Sequence, residues 1–320
     1  MEYFTLGKKK ISKICLGTWS LGSGINKNIS YGEISKKNAN NILEYAFNIG
    51  INFFDTANVY GDAEKRLAYF LRNKRDKIYI AHKVGCVSFD KKLNFSKKVI
   101  IKQIENSLRI LKTDYLNIIQ LYNPKIYDTS LNSCMDYLMN IKSKGIINHI
   151  GVSLSSPDDY IKLRKNFNFD TIQCNFNILD QRLIENNLLE LMISDKVKIF
   201  IRTVLNFGIF TDEFIKKKKI KFSKSDHRSR WSSKQIFLWR NYIKKIQCNN
   251  KSVEEICYRF ANIKNISSVI IGATNINHID AAVHSLNKSP LTKIMKKKIK
   301  HIYKEYSKNS IEKPKIEMKI

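Results

Sequence analysis

The sequence predicts one domain, residues 1–320, of the α/β class: a (β/α)8 TIM barrel with an N-terminal β-hairpin and a long loop after strand 7. Short apolar runs alternate with amphipathic stretches from near the start of the chain to residue 286, as strands alternate with helices. Eight such pairs in roughly 270 residues fit a closed barrel. A doubly wound sheet would carry an early glycine-rich phosphate turn, but neither a third glycine nor a helix start follows Gly22-Ser23-Gly24. We interpret that segment as a flexible loop.

The predicted elements follow one another with short connections. Residues 4–6 and 10–14, joined through Gly7, are expected to form the hairpin. Ser96 is expected to cap the third helix. The predicted strand and helix pairs are residues 14–18 and 36–48, 51–55 and 63–71, 77–83 and 96–111, 115–121 and 131–143, 149–153 and 157–165, 171–175 and 184–194, 198–203 and 253–263, and 269–271 and 276–286.

One connection is much longer than the others. Residues 206–248 follow the seventh strand, on the face of a barrel where active sites lie, and loops of this length are usually lids or binding loops. Four aromatic residues predict that a helix late in this segment packs against the barrel: Trp231, Phe237, Trp239 and Tyr242. Residues 306–320 are expected to form a polar C-terminal tail on the surface.

Composition restricts the class of protein. The 43% hydrophobic content is enough for a packed core, and no apolar run approaches the ~20 residues of a membrane span. The first residues lack the apolar core of a signal peptide, so we expect a cytoplasmic protein. The six cysteines are scattered and form no metal-ligand pattern, which predicts reduced, buried thiols and no metal site.

The formal charge of +29 allows two interpretations. It could mark a surface that binds nucleic acid or an anionic membrane. However, the lysines are spread along the whole chain and accompany no nucleic-acid-binding motif. We therefore expect a solvated basic surface with neither nucleic acid nor membrane as partner; its field would also attract a phosphorylated cofactor or an acidic substrate.

Three residues near the ends of neighbouring predicted strands suggest carbonyl chemistry. Asp55 ends one strand, Tyr60 lies in the loop that follows, and Lys83 ends the next strand. A cationic amine lowers the pKa of a phenol, and a carboxylate holds the amine charged and in place, so the three can make a proton donor. Taken singly, Asp55 could be a turn carboxylate and Tyr60 a packed aromatic.

Nearly the whole chain, to about residue 290, resembles the aldo-keto reductase family. The resemblance is carried by the order and spacing of seven segments: residues 16–19, 50–61, 81–85, 114–116, 145–153, 173–177 and 269–273. It implies a (β/α)8 barrel that uses NADPH or NADH to reduce aldehydes and ketones. It also implies that Tyr60 protonates the carbonyl oxygen, that Lys83 lowers the pKa of Tyr60, and that Asp55 orients Lys83.

The sequence departs from the family at the fourth catalytic position, where Tyr122 stands in place of a histidine. A phenol can still donate a hydrogen bond to a carbonyl, but it does not titrate near neutral pH. Losing an oxyanion donor can cost about a hundredfold in rate. The change therefore predicts either an unusual carbonyl substrate or weak chemistry.

The cofactor contacts that the resemblance implies are similarly mixed. Ser153 and Gln173 match the residues that hold the nicotinamide amide, and Arg202 replaces the ring that often stacks under nicotinamide. Departures from the family occur at Leu154, at Asp212-Glu213 near the expected pyrophosphate, and at Ala281-Ala282 near the expected adenine. The full set of expected cofactor residues is Thr18, Trp19, Ser153, Gln173, Arg202, Thr203, Leu205, Gly208, Gly272, Ala273, Thr274 and His278.

The leading hypothesis is an NAD(P)H-dependent reductase of a small-molecule aldehyde or ketone, with sugar-derived carbonyls among the candidates. NADP is the expected cofactor and NAD the alternative. A competing interpretation is an inactive barrel of the same family that binds a nucleotide or a protein, and a third is nucleic-acid binding. The sequence specifies neither the substrate nor the oligomeric state.

Overall fold

The computed structural model describes residues 1–23, 30–217, 219–248 and 250–309. Eight parallel strands close into a barrel in the order β10-β3-β4-β5-β6-β7-β8-β9, and β1 and β2 form a separate antiparallel hairpin. The predicted (β/α)8 barrel with an N-terminal hairpin is confirmed. Gly24, the end of the predicted flexible loop, lies outside the described residues.

The strands are short and lie in the order that the sequence predicts. They are β1 (Tyr3–Leu6), β2 (Lys9–Ser12), β3 (Ile14–Gly17), β4 (Phe53–Ala57), β5 (Tyr79–Val84), β6 (Leu116–Tyr122), β7 (Ile147–Leu154), β8 (Thr171–Asn175), β9 (Lys198–Arg202) and β10 (Ser268–Gly272).

The helices surround the barrel and bury one apolar face each against it. They are α1 (Lys36–Asn48), α2 (Ala63–Phe70), α3 (Lys97–Leu111), α4 (Leu131–Ser143), α5 (Asp159–Leu163), α6 (Arg182–Glu185), α7 (Leu188–Ser194), α8 (Asp212–Lys216), α9 (Ser233–Lys244), α10 (Val253–Ala261), α11 (Ile276–Leu286) and α12 (Lys293–Asn309).

Two predicted boundaries were wrong for identifiable reasons. The strand expected at residues 51–55 begins later, at Phe53, because the Asn52 side chain bonds the hairpin: its Oδ1 accepts from Ser12 N at 2.8 Å and its Nδ2 donates to Lys10 O at 3.0 Å. The helix expected at residues 184–194 is broken at Asn187, whose φ of 55° is left-handed. Ser96 is at the predicted N-cap position of α3, although its side chain makes no capping hydrogen bond.

The barrel interior is apolar at the hairpin end and polar at the other end. Side chains of alternate strand residues fill the hairpin end, where Phe53 and Phe200 stack edge to face at 5.1 Å and Phe4 of the hairpin lies 5.8 Å from Phe200. The hairpin therefore closes this end. Buried polar residues face inward near the carboxyl ends of the strands, and any chemistry belongs there.

The long segment after β9 contains α8, a 3-10 turn at His227–Arg230, and α9. Of the four aromatic residues, Trp239 and Tyr242 are buried as predicted, and Trp239 Nε1 donates to Tyr306 Oη at 3.1 Å, whereas Phe237 is 63% exposed. Tyr306 is buried within α12, which extends to Asn309. Residues 306–309, expected to be part of the polar tail, therefore belong to α12; residues 310–320 lie outside the described part of the chain.

All six cysteines are free thiols, and five of them are buried. Within the described residues, no helix combines the length and hydrophobicity that crossing a membrane requires.

Candidate active site

A buried ion pair lies at the polar end of the barrel. Strand register pairs Asp55 with Ala81 and Ala57 with Lys83, so Asp55 and Lys83 both point to the axis from adjacent strands. Lys83 Nζ donates to Asp55 Oδ1, and both side chains are almost fully buried. Burial lowers the pKa of Lys83, whereas the charge of Asp55 and the hydrogen bond to it act in the opposite direction.

Two amides hold the second oxygen of the Asp55 carboxylate. Gln120 Nε2 donates to Asp55 Oδ2 at 3.0 Å, and Gln173 Nε2 donates to the same oxygen at 2.8 Å. Ser153 Oγ donates to Gln173 Oε1 at 3.2 Å and thereby fixes that amide. Asp55 is therefore locked in position by partners on three other strands.

Gln120 has no assigned role in the sequence prediction. It lies in the otherwise apolar run of β6, two residues before Tyr122, so the period of two in a strand turns both side chains to the axis. A polar residue in register with the inward face of a buried strand is the signal that identifies it.

Tyr60 lies in the loop after β4 and is 8% exposed. The loop is fixed by a close approach of Gly22, where an added Cβ would lie 1.9 Å from Tyr60 O, and by Gly61, which adopts φ of 62°. Lys83 Nζ lies 5.5 Å from the centre of the Tyr60 ring.

The pKa of Tyr60 is raised overall, and the lowering expected from Lys83 stays a prediction. Burial and the nearby charge of Asp55 raise the pKa of Tyr60 well above its ordinary value, and the largest opposing influence is Arg202. Tyr60 therefore keeps its proton at neutral pH.

Tyr122 ends β6 and faces the same space as Tyr60. Burial, followed by the neighbouring Tyr60, raises the pKa of Tyr122 to about 12. Tyr122 is therefore also a neutral hydrogen-bond donor near pH 7, without the titration that a histidine would bring there.

Arg202 ends β9 on the inward side, two residues after the barrel-filling Phe200. Its Nη2 donates to Leu154 O at 3.3 Å, while its Nε is buried without a partner. The next residue, Thr203, has φ of 62°, which is strained for a β-branched side chain. Asn177 Nδ2 holds the Thr203 carbonyl at 3.1 Å and Thr203 Oγ1 donates to Asn175 Oδ1 at 3.1 Å, so the strand end is fixed by side chains of the β8 segment.

A cleft of about 1120 Å³ opens at this end of the barrel. Thirteen of the sixteen predicted site residues line it: Trp19, Asp55, Tyr60, Lys83, Tyr122, Gln173, Arg202, Thr203, Leu205, Gly208, Gly272, Thr274 and His278.

The other three predicted site residues are buried behind the cleft wall. Thr18 Oγ1 donates to Asp55 O at 3.0 Å, and Ser153 bonds Gln173 as described above. Ser20 Oγ bridges both backbone groups of Ala273, at 3.2 Å from its N and 2.8 Å from its O. Their polar groups bond within the wall of the site, and the cofactor contacts expected of them stay predictions.

The β10 side of the cleft is polar. Thr274 N donates to His278 Nδ1 at 3.3 Å, and the His278 backbone N–H donates to the N-capping side chain of Asn275 at 3.1 Å. The His278 ring thus orders its own loop at the start of α11.

The two carboxylates after β9 are occupied by protein partners. Asp212 Oδ1 accepts from Val253 N at 3.2 Å, at the start of α10, and Glu213 pairs with Lys217. Both residues line the cleft. The repulsion of an anion expected from Asp212-Glu213 is therefore partly compensated.

Residues 30–31 and 226–228, from two loops, contact each other at the cleft, and we call them the clamp. Asp226 forms β-bridges to Ser30 and Tyr31, and His227 N donates to Ser30 O at 2.9 Å. Arg228 pairs with Asp226 at 2.7 Å and lies 4.8 Å from the centre of the Tyr31 ring. The sequence alone does not indicate this clamp, because Ser30 and His227 are 197 residues apart in the chain.

Comparisons with known proteins agree with this arrangement. The model of the aldo/keto reductase family matches residues 13–304. The uncharacterized oxidoreductase YqkF of Bacillus subtilis is 26% identical over 288 residues, which cover 88% of this chain and 89% of that protein.

Two solved structures share the fold. The glycerol dehydrogenase AKR11B4 from Gluconobacter oxydans superposes with a TM-score of 0.78 at 22% identity, covering 97% of this chain and 98% of that one. The holo form of aldo-keto reductase AKR11C1 from Bacillus halodurans gives a TM-score of 0.75 at 22% identity, with coverage of 94% and 96%. Since the family model spans most of the chain and the barrel is the same, the chain belongs to the aldo/keto reductase family and is an NAD(P)-dependent oxidoreductase.

Proposed function

We propose that this protein reduces a small aldehyde or ketone to an alcohol, with NADP as the cofactor and Tyr60 as the proton donor. The observation that carries the proposal is the position of Tyr60: it faces the cleft, retains its proton, and lies over the buried Lys83–Asp55 pair. A positioned phenol of this kind contributes about 10² to 10⁴ in rate as a general acid.

The residues of the cleft fit a nicotinamide cofactor. The cleft volume of about 1120 Å³ is at least as large as that of ordinary small-molecule sites, which leaves room for a dinucleotide beside a substrate. The planar guanidinium of Arg202 and the amide of Gln173 would hold the nicotinamide ring, and the strand end and loop from Thr203 to Gly208 would contact the pyrophosphate. Gly272, Thr274 and His278, at the start of α11, would contact the adenosine half. Selection of NADP is supported by the positive field of a chain of charge +29.

When bound, a reduced nicotinamide would supply a hydride to the carbonyl carbon. The electrons of the broken C=O π bond pass to oxygen, which takes the proton of the Tyr60 hydroxyl. Tyr122 donates a second hydrogen bond to the same oxygen. Lys83 and Asp55 stay paired and keep the charge beside Tyr60 fixed, and Tyr60 regains its proton from solvent after the alcohol leaves.

The substrate class we propose is a small polar carbonyl, sugar-derived compounds included. The cleft near Tyr60 offers hydroxyl and amide groups, from Tyr122, Asn123 and Ser88, together with the aromatic face of Trp19. Such a mixture suits a hydroxylated carbonyl compound. One relative in fold is named a glycerol dehydrogenase, which supports this class by analogy only.

The test compares wild type with Tyr60→Phe, and uses Tyr69→Phe as a control because Tyr69 is 60% exposed on α2. NADPH and NADH binding are measured separately by nicotinamide fluorescence, and turnover is followed with a panel of aldehydes and ketones. Tyr60→Phe should lose turnover by about a hundredfold or more while it still binds the cofactor. Unchanged turnover in Tyr60→Phe would refute the mechanism. Tight binding without turnover in wild type would favour a nucleotide-binding barrel instead.

A further inference from the structure

Arg202 carries a positive charge that nothing nearby neutralises. Across the described residues, no carboxylate lies within ion-pair distance of its guanidinium. The guanidinium donates one hydrogen bond, from Nη2 to Leu154 O, and its Nε is buried without a hydrogen-bond partner. Three other cations of the cleft wall are paired: Lys83 with Asp55, Lys217 with Glu213, and Arg228 with Asp226. Lys91, Lys92 and Lys221 also line the cleft without an ion pair among the described residues, but they lie in loops and not at the end of a barrel strand. At the base of the cleft, beside Tyr60, Arg202 at the end of β9 therefore carries a positive charge that no carboxylate pairs with.

This charge reaches the groups on which the reaction depends. Arg202 lowers the pKa values of both Tyr60 and Tyr122 against the larger effect of burial, which means that it stabilises negative charge on both phenol oxygens. It also lowers the pKa of Lys83, in the direction expected for two neighbouring cations. At Tyr60 the Lys83–Asp55 pair does not take this part, because its carboxylate raises the pKa there, although Lys83 lowers the pKa of Tyr122.

The backbone holds this charge in place at some cost. Thr203 adopts a left-handed φ that β-branched residues avoid, and side chains of Asn175 and Asn177 hold it there. Strain of this kind persists where the surrounding structure requires a particular geometry. Here it fixes the direction in which β9 ends, and so the place of Arg202.

We propose that Arg202 supplies the net positive charge of the reaction centre, which favours negative charge on the carbonyl oxygen and on Tyr60 and disfavours the oxidised, cationic nicotinamide. This inference rests on the function proposed above. Hydride donation would leave a bound nicotinamide cationic and would place negative charge on the carbonyl oxygen, which would take its proton from Tyr60. The carbonyl oxygen must lie within hydrogen-bond reach of Tyr60, and the nicotinamide must lie within hydride-transfer distance of the carbonyl carbon, so Arg202 acts on both.

Two measurable consequences follow. First, the site should bind NADPH more tightly than NADP⁺, because the guanidinium would repel the oxidised, cationic ring. Second, in alcohol oxidation, where Tyr60 must first lose its proton, Arg202 should move the rise of the rate to lower pH. A residue that served only by packing would produce neither effect.

The experiment measures the dissociation constants of NADPH and NADP⁺ for wild type, Arg202→Gln and Arg202→Lys. Arg72→Gln is the control because Arg72 is exposed at the end of α2. Wild type should prefer NADPH by about tenfold or more, Arg202→Gln should lose most of this preference, and Arg202→Lys should keep it. The pH profile of alcohol oxidation should move to higher pH in Arg202→Gln alone.

Several results would overturn the proposal. Equal affinity of wild type for the two nucleotides does so without any variant, so the test does not depend on how Arg202→Gln folds. An unchanged ratio and pH profile in Arg202→Gln also refute it, and a lysine variant that behaves like the glutamine variant assigns Arg202 to stacking instead of charge. If wild type binds neither nucleotide, the proposed function itself fails, which is a distinct outcome.

Discussion

Lys83 Nζ lies 5.5 Å from the centre of the Tyr60 ring, while its hydrogen bond is directed to Asp55. The cation is therefore close to the proton donor but shares its charge with a carboxylate. Because Asp55 and burial together prevail, Tyr60 has a raised pKa and remains a neutral phenol. The pair sets the pH range in which Tyr60 can give or take a proton.

The first prediction concerns the pH dependence of the two reaction directions. Since the pKa of Tyr60 is raised above its ordinary value of 10.0, reduction should not lose its proton donor anywhere below about pH 10. Alcohol oxidation needs the phenolate, so its rate should rise with pH over the same range. Measuring kcat in both directions at a series of pH values checks this. A reductive rate that falls between about pH 6 and pH 8 would point to another proton donor.

The second prediction is for Asp55→Asn, which removes a charge but retains the shape. Because the carboxylate raises the pKa of Tyr60, the rise of alcohol oxidation should move to lower pH, opposite to the shift expected for Arg202→Gln. Lys83 also loses its partner, and breaking a buried ion pair costs about 3–5 kcal/mol of unfolding free energy. Urea denaturation and the pH profile measure the two effects separately. A shift to higher pH would contradict the assigned sign.

A third prediction separates the two roles open to Tyr122. If its hydroxyl helps to hold the carbonyl oxygen, Tyr122→Phe should lower kcat about ten- to a hundredfold and leave NADPH affinity nearly unchanged. Tyr122→His should make reduction depend on pH near the ordinary imidazole pKa of about 6.5, where wild type is flat. Steady-state kinetics with one carbonyl substrate, together with NADPH titration, tests both. An unaltered kcat in the phenylalanine variant would leave Tyr122 as a wall of the cleft.

Much of the fold and part of the site could be predicted because they depend on local pattern. Asp55 and Lys83 lie near strand ends, and parallel strands bring such ends together. The role of Gln120 could not be predicted from the sequence, because it is a single amide in an apolar strand. Only the strand register shows that it faces Asp55. Thr18 is predicted as a cofactor contact, and sequence spacing does not reveal that its hydroxyl donates a hydrogen bond to the backbone carbonyl of Asp55.

The direction of the pKa shift of Tyr60 could not be predicted from the sequence, for a different reason. Its sign depends on how far Asp55, Lys83 and Arg202 offset one another after burial, and such a balance requires three-dimensional positions. The contact between Ser30 and His227 is similar, since no local pattern connects two loops so distant in the chain.

The fourth prediction uses Gly22, whose missing side chain makes room for the Tyr60 loop. An added Cβ would lie 1.9 Å from Tyr60 O and 2.9 Å from its carbonyl carbon, so Gly22→Ala must displace the backbone that carries the proton donor. We expect a loss of about 1–3 kcal/mol in unfolding free energy together with a lower kcat. Gly272→Ala is the control for stability, because its Cβ would meet nothing nearer than Ser20 Oγ at 4.0 Å. Equal unfolding free energies of the two variants would show that the Tyr60 loop can shift to admit the methyl group without loss of stability.

The last prediction concerns the clamp formed by residues 30–31 and 226–228. His227 is 3% exposed, its Nδ1 lies 3.1 Å from Ser30 O, and its ring lies 4.5 Å from the ring of Trp19. Burial lowers the pKa of His227 to about 4, which outweighs Ser30 O and Asp226, while Arg228 and Arg230 act in the same direction as burial. The unfolded chain therefore binds a proton first as the pH falls from about 6.5, and stability is lost progressively down to about pH 4.

The shift of His227 corresponds to about 3 kcal/mol of unfolding free energy over that interval. Replacing His227 with Gln should keep a donor near Ser30 and remove this part of the pH dependence. Urea denaturation at about pH 7 and about pH 4.5 measures it, with His301→Gln on the exposed side of α12 as the matched control. Carboxylates remote from the clamp act equally in all three proteins, so the difference between His227→Gln and wild type reports the imidazole together with its neighbour Asp226, whose Oδ1 lies 3.6 Å from His227 Nδ1. If both variants lose stability on acidification as steeply as wild type, His227 does not couple the clamp to pH.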